Sequence, residues 1–253
     1  MADSGRTLIA AMVDGLPAHP GPVPVLRLPG RTALRKTVAG RLWRALAPGP
    51  VARGVEALNS ILVLLADHEL ATSTLAARVA ASTRANPYAV VGAALGAFEG
   101  PLHGTVSEEV IALLDDAEAG AAAAIASRLR RGHLLPGFGH RIYEGPDPRG
   151  VAMLELLDAL AARGDRRSRK RAGVAHAVFD AAGTKSHAAP NCDFGLGAFV
   201  YVTGMARDAG EAIFAIARTA GWIAHALEEY DATPLRFRGR ALYVGPQGPP
   251  GGP

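Results

Sequence analysis

The stretch Leu135-Pro-Gly-Phe-Gly-His140-Arg-Ile-Tyr143, followed by Asp147-Pro-Arg149, is the most informative part of this 253-residue chain. Two of its glycines lie two residues apart, just before a histidine. Such glycines let the backbone come close to a ligand and leave amide groups free to bind it. A glycine loop alone is weak evidence, since short glycine-containing loops are common. The functional interpretation of this stretch depends on polar residues elsewhere in the chain.

Five further polar residues stand in apolar or loop surroundings, and each also has a plainer structural interpretation. His68 could be a hydrogen-bonded histidine at the edge of the core, and His103 could cap the end of a helix. Asp193 could be the N-cap of the helix that follows it. Arg218 could pair with a nearby acid, and Arg238 could belong to a solvated, arginine-rich strand. Taken one at a time, these residues leave both interpretations open.

Apolar residues recur at three- and four-residue spacings from residue 51 onward, which predicts a mainly all-α fold. One long helix is expected over 55–82, and it contains His68. A capping side chain followed by a proline marks a helix start, so Asn86-Pro87 and Asp147-Pro148 each predict one. Further helices are expected from Ser107, around Ile125, and over 166–182, 194–206 and 210–229.

Three segments do not follow the helical pattern. Residues 14–50 are rich in proline and glycine and are expected to be loosely structured, with one helix. Only residues 235–244 alternate like a strand. The end of the chain, 246–253, is expected to be a disordered glycine- and proline-rich tail.

Composition excludes several classes of protein. Apolar residues make up 49% and charged residues 20%, as in ordinary globular proteins, and no apolar run approaches the roughly 20 residues of a membrane span. A net charge of +4 and 6% aromatic residues argue against a nucleic-acid partner. The single cysteine, Cys192, excludes an internal disulfide framework. Without a secretory signal pattern, we expect a cytoplasmic protein with a small anionic partner and no membrane partner.

Together, in order, the polar segments resemble the citrate synthase family. The signature stretch already quoted is joined by five others over residues 55–245: Ala66-Asp-His68-Glu, Gly100-Pro-Leu-His103-Gly, Pro190-Asn-Cys-Asp193-Phe, Gly221-Trp-Ile-Ala-His225 and Arg238-Gly-Arg-Ala-Leu-Tyr243-Val-Gly. Several motifs in a fixed order are far more specific than any one of them.

The resemblance implies a citrate synthase-like fold with the active site between two helical domains. The large domain would comprise residues 51–103 and 199–245, and the small domain residues 104–198. Residues 1–50 form a poorly matched N-terminal segment, and 246–253 lie outside the pattern.

The resemblance also implies a role for each matching residue. Asp193 would remove a proton from the methyl group of acetyl-CoA, and His103 would donate a hydrogen bond to the thioester oxygen. His140 would polarise the ketone of oxaloacetate. The residues matching those that hold oxaloacetate or citrate carboxylates are His68, Arg149, Arg218 and Arg238.

Two further implications concern partners. In the family, the arginine matching Arg238 comes from the partner subunit, which implies a homodimer. Residues Leu135, Gly137, Phe138 and Gly139 would contact CoA, whose thioester is a substrate, so no tightly bound cofactor and no metal are expected. The chemistry fits these assignments, since a weakly acidic thioester α-proton needs a base together with an oxyanion donor. Two substrate carboxylates call for several arginines.

Departures from the family pattern keep other functions open. After His103, the usual Gly-Gly-Ala-Asn-Glu is replaced by Gly104-Thr-Val-Ser-Glu108. The short chain is also similar to citryl-CoA lyases, which break the carbon–carbon bond with the same residues. A non-catalytic CoA- or dicarboxylate-binding homologue is a third reading. A metal-dependent hydrolase is a fourth, although His68-Glu-Leu-Ala-Thr72 lacks the second histidine of a His-Glu-x-x-His motif.

Overall fold

A computed structural model describes residues 2–17, 36–49, 51, 53–183 and 189–245. Within these residues the regular structure consists of eleven helices, which confirms the mainly all-α prediction. The helices are α1 (Ala2–Asp14), α2 (Val38–Leu46), α3 (Gly54–Leu65), α4 (Thr72–Ser82), α5 (Pro87–Phe98), α6 (Val106–Ala117), α7 (Ala121–Arg130), α8 (Pro148–Ala161), α9 (Arg166–Gly183), α10 (Cys192–Thr203) and α11 (Ala209–Asp231).

The two predicted cap-and-proline helix starts are confirmed. The Asn86 side chain accepts a hydrogen bond from the Ala89 amide at the start of α5, at 3.0 Å. The Asp147 side chain accepts one from the Arg149 amide at the start of α8, at 2.9 Å. These caps satisfy amide groups that the first helical turn leaves unpaired.

Helices α10 and α11 are the centres of two packed groups. Helix α10 packs against α6, α8 and α9, while α11 packs against α1, α3, α4 and α5. Every residue of α10 except Asp193 is buried, so this helix runs through the core and leaves one acidic residue partly exposed. Helix α3 contacts α8 and α10 and thereby joins the two groups. The domain boundaries given by the sequence stay a prediction.

The prediction of one long helix over 55–82 is wrong, because α3 ends at Leu65 and α4 begins at Thr72. The Gly221 amide of α11 donates a hydrogen bond to the Ala66 carbonyl, at 3.0 Å. A Cβ atom on Gly221 would lie 2.3 Å from that oxygen, so only glycine permits the approach. Glu69 has a φ of 50°, which a helix cannot continue through. His68 therefore lies in a break between two helices.

The predicted strand over 235–244 is also wrong, since the described residues contain no strand for it to pair with. Instead the Leu235 amide donates to the Ser82 carbonyl at the end of α4, at 2.9 Å. The alternating apolar residues that suggested a strand are exposed at Leu242, Tyr243 and Val244.

Helix α2 accounts for the one helix expected within residues 14–50. The segment 18–35 and the predicted tail 246–253 lie outside the described residues. No helix in the described ranges is both long and apolar enough to cross a bilayer.

Candidate active site

The glycine loop is fastened to the start of α10 by two backbone hydrogen bonds. The Asn191 amide donates to the Gly137 carbonyl at 2.9 Å, and the Gly139 amide donates to the Ala189 carbonyl at 2.7 Å. Gly137 has a φ of 78°, and a Cβ there would lie 2.7 Å from the Cβ of Phe194. The expectation that these glycines leave their amides free is therefore wrong for Gly139. The glycines instead allow the loop to lie directly against α10.

Asn191 caps α10 and joins it to the loop. Its side-chain oxygen accepts hydrogen bonds from the amides of Asp193, at 2.9 Å, and Phe194, at 3.3 Å. Its side-chain nitrogen donates to the Gly139 carbonyl at 2.8 Å. Asp193 is thus not the N-cap, and its carboxylate is left free for another task in the first helical turn.

One oxygen of the Asp193 carboxylate is both buried and without a hydrogen-bond partner among the described residues. This atom is Oδ1. Burial raises the pKa of Asp193 from 3.8 to about 6, even though the nearby cations of Arg149 and Arg218 act to lower it. At neutral pH this group is an ionised carboxylate that is poorly solvated and ready to accept a proton.

This raised pKa predicts how Asp193 affects stability. Between pH 3.8 and about 6 the folded chain binds more protons at this site than the unfolded chain, so stability falls as pH rises. The loss is complete above about pH 6. At pH ~7.5, Asp193→Asn should therefore raise the free energy of unfolding by up to about 3 kcal/mol, and near pH ~3.5 it should have almost no effect. Urea unfolding at both pH values tests this; an equal effect at both would contradict it.

His68, His140 and Tyr143 form a cluster in which the proton of His140 can be assigned. The His68 and His140 rings meet edge to face with centroids 5.2 Å apart, and His68 Nε2 lies 3.0 Å from the Tyr143 hydroxyl. His140 Nδ1 accepts hydrogen bonds from the amides of Ile142, at 3.0 Å, and Tyr143, at 3.3 Å. Burial lowers the pKa of both histidines. His140 is therefore neutral near pH 7 and carries its proton on Nε2.

His103 is held by a buried serine that the sequence did not reveal. Ser73 Oγ lies 2.8 Å from His103 Nε2 and accepts a hydrogen bond from Trp222 Nε1 at 3.2 Å. Since Ser73 is fully buried, its hydroxyl proton needs an acceptor, and His103 Nε2 supplies one. The His103 proton then sits on Nδ1. Burial, and secondarily the charge of Arg218, lowers the pKa of His103 and keeps it neutral.

Removing the Ser73 hydroxyl should destabilise the protein. Ser73→Ala leaves Trp222 Nε1 and His103 Nε2 without their partner, which we expect to lower the free energy of unfolding by about 1–3 kcal/mol. Ser107→Ala is the matched control, because Ser107 is equally buried but its Oγ has no hydrogen-bond partner within the described ranges. Urea unfolding should show little loss in the control, and equal losses in both variants would contradict the assignment.

Two buried arginines give the site its positive charge. Arg149 Nε and Nη2 donate to the two carboxylate oxygens of Asp147, at 3.0 and 2.7 Å. Arg218 is 1% exposed, and its Nε donates to the Leu65 carbonyl at 2.8 Å. Burial and the neighbouring charge of Arg149 lower the pKa of Arg218. Within the described part of the chain its terminal nitrogens make no hydrogen bond, so they remain able to hold an anion.

The structure brings most of the sequence-predicted residues together. The charge of Arg218 acts on the pKa values of His68, His103 and Asp193, and that of Arg149 acts on His140. Arg238 is exposed after α11, and no hydrogen bond of its side chain joins it to this group within the described residues.

Of the other predicted loop residues, Leu135 is buried and Phe138 packs on Phe194 with ring centroids 4.9 Å apart. The described ranges contain no group of three or more histidine, cysteine, aspartate or glutamate side chains that could hold a metal ion.

Comparison with known proteins agrees with this geometry. The family model described as citrate synthase, C-terminal domain, matches residues 27–239. Citrate synthase 2 of Bacillus subtilis is 37% identical over 202 residues, which cover 79% of this chain and 53% of that protein. The chain spans about half the length of the curated relatives it matches.

Two solved structures extend the comparison. A ternary complex of citrate synthase from Thermoplasma acidophilum with carboxymethyl coenzyme A and oxaloacetate matches with a TM-score of 0.71 and 32% identity, covering 85% of this chain and 58% of that one. Citryl-CoA lyase from Hydrogenobacter thermophilus matches with a TM-score of 0.73 and 25% identity, covering 85% of this chain and 87% of that one.

Proposed function

Because the chain belongs to the citrate synthase family, we propose that it condenses acetyl-CoA, or a close acyl-CoA, with oxaloacetate to give citrate and CoA. The observation that carries this proposal is the Asp193 carboxylate. It has a raised pKa and an oxygen that is buried and unpartnered within the described residues. The charges of two buried arginines, Arg149 and Arg218, also act on it. A base with these properties is suited to removing a proton from carbon.

In the first step, Asp193 takes a proton from the methyl group of acetyl-CoA. The electron pair of that C–H bond moves toward the thioester oxygen, which gains negative charge. His103 is neutral, and its Nδ1–H can donate a hydrogen bond to this oxygen as the charge develops. Ser73 fixes the ring in that tautomer.

In the second step, the new carbon nucleophile attacks the ketone carbon of oxaloacetate. The ketone oxygen becomes negatively charged, and His140 donates a hydrogen bond to it from Nε2. This oxygen then takes up a proton, which balances the one that Asp193 removed, and water hydrolyses the resulting citryl thioester and releases CoA. The site uses two neutral imidazoles as hydrogen-bond donors and one carboxylate as the base.

The carboxylates of oxaloacetate would bind to the positive part of the site. Arg218 offers unpaired terminal nitrogens, and Arg149 is held rigidly by Asp147. His68, fixed beside Tyr143, adds a neutral donor or acceptor. We assign Arg238 to a substrate carboxylate of the neighbouring subunit in a homodimer, and we assign the loop from Leu135 to Gly139 to CoA.

A citryl-CoA lyase is the second candidate, and one comparison favours it. The portion that this chain matches amounts to 87% of the Hydrogenobacter thermophilus lyase but only 58% of the Thermoplasma acidophilum synthase. The same residues would act in reverse: Asp193 would return the proton to the methyl carbon after the carbon–carbon bond breaks.

Mass-spectrometric product detection separates these functions. The protein is incubated with acetyl-CoA plus oxaloacetate and, separately, with citryl-CoA alone. Citrate in the first reaction supports the synthase. The lyase is supported if the second reaction gives acetyl-CoA and oxaloacetate and the first gives no citrate. No product in either reaction, with binding of CoA in isothermal titration calorimetry, would favour a non-catalytic homologue and contradict both enzymes.

A further inference from the structure

We propose that His225 is a positioning residue that fixes His68, and with it the oxaloacetate site, by holding Asp67. This inference rests on the proposed function, because it assigns His68 to substrate. His225 lies on α11, and its Nε2 is 3.2 Å from Asp67 Oδ1, in the residue just before His68.

The break between α3 and α4 is held by one face of α11. Arg218 donates to the Leu65 carbonyl, and Gly221 donates to the Ala66 carbonyl. Residues 218, 221 and 225 follow one another at spacings of three and four, so they share a face of the helix. His225 is the residue on this face whose side chain reaches the side chain of Asp67, next to His68.

Arg78 sets the orientation of the His225 ring. Arg78 Nη1 lies 2.8 Å from His225 Nδ1, and an arginine can only donate, so Nδ1 must accept. The proton of the neutral ring is then on Nε2, where it points at the Asp67 carboxylate. The direction of the hydrogen bond to the His68 segment therefore follows from Arg78.

Arg78 is itself fixed by acidic residues at the end of α11. It donates to Glu228 Oε2 at 2.8 Å and lies 3.1 Å from Glu229 Oε2. The Glu229 side chain is fully buried, and its carboxylate also accepts two hydrogen bonds from Arg236, at 2.6 and 2.7 Å. A continuous set of charged contacts thus runs from Asp67 to the segment that precedes Arg238. Arg236 is exposed, yet it pairs with a fully buried acid.

A double-mutant cycle on oxaloacetate binding tests the proposal. Dissociation constants are measured by isothermal titration calorimetry for the wild type, His225→Leu, His68→Ala and the double variant. We expect His225→Leu to weaken oxaloacetate binding by about tenfold, since it removes one charge-assisted hydrogen bond at a partly exposed acid. In the His68→Ala background the same substitution should change binding less than about twofold, because it acts through His68.

Two further variants separate positioning from general damage. His225→Gln keeps an N–H donor for Asp67 and should retain most of the wild-type affinity for oxaloacetate. This comparison remains informative if His225→Leu lowers the melting temperature. His176→Leu is the matched control, because His176 also pairs with an aspartate, Asp158, at 2.6 Å but lies on α9. It should leave oxaloacetate binding unchanged.

The outcomes distinguish the inference from the function on which it rests. Equal losses from His225→Leu with and without His68, or wild-type affinity in His225→Leu, would overturn the positioning role while leaving the proposed function intact. Failure of the wild-type chain to bind oxaloacetate would overturn the proposed function, and this inference with it.

Discussion

Replacing Asp193 by asparagine should lower turnover by about 10²-fold or more, in whichever direction the reaction runs. Asparagine has nearly the same shape as aspartate but cannot accept the methyl proton. The Asn191 cap and the backbone contacts of the glycine loop do not involve the Asp193 carboxylate, so the local structure should survive. Turnover is measured from citrate formation or citryl-CoA cleavage.

A control and a second readout make this result specific. Asp180→Asn changes an exposed aspartate on α9 and should leave turnover unchanged. Exchange of the acetyl-CoA methyl protons with deuterated water reports the first step alone. If Asp193→Asn exchanges these protons as fast as the wild type does, then Asp193 is not the base.

Mixing two inactive variants should restore activity if each site contains residues from two chains. Asp193→Asn lacks the base, and Arg238→Ala lacks the arginine assigned to the neighbouring site. A mixed dimer would contain one site in which both residues are intact. With random exchange of equal amounts, about a quarter of all sites would be complete, and activity should recover to about that fraction.

Exposure of Arg238 motivates this experiment. The residue follows a segment anchored by Arg236 to the buried Glu229, and within the described residues no hydrogen bond of its side chain joins it to another predicted site residue. Subunit exchange must be shown independently, for example by mass spectrometry of differently labelled chains. No recovery despite exchange, or a fully active monomer in sedimentation, would refute a shared site.

The sequence predicted those parts of the site that depend on local signals. Asp147 before a proline marked a helix start, and the structure has the cap there. Asp193, His103 and Arg218 could be chosen because a charged or polar side chain in an apolar segment is unusual, and all three take part in one cluster of interacting charges.

Features that depend on distant contacts could not be predicted in this way. The apolar spacing of α3 resumes in α4 and does not mark the break over residues 66–71, where the Gly221 amide contacts the Ala66 carbonyl and Glu69 has a positive φ. Ser73 resembles any serine on a small-residue helix until Trp222 and His103 are placed beside it. The alternation over 235–244 predicted a strand, but alternation alone does not supply a partner strand.

The break that presents His68 has a consequence for how the protein folds. The hydrogen bond from Arg218 to Leu65 joins residues 153 positions apart, and that from Arg78 to His225 joins residues 147 apart. Closing a loop of this length costs conformational entropy, and this cost is offset only after the contacts have formed. We therefore expect such contacts to form late in folding. Helices α4 and α5, which are adjacent in sequence, can pair first. We therefore expect the proposed oxaloacetate site, which includes His68 and Arg218, to be assembled only when α11 docks.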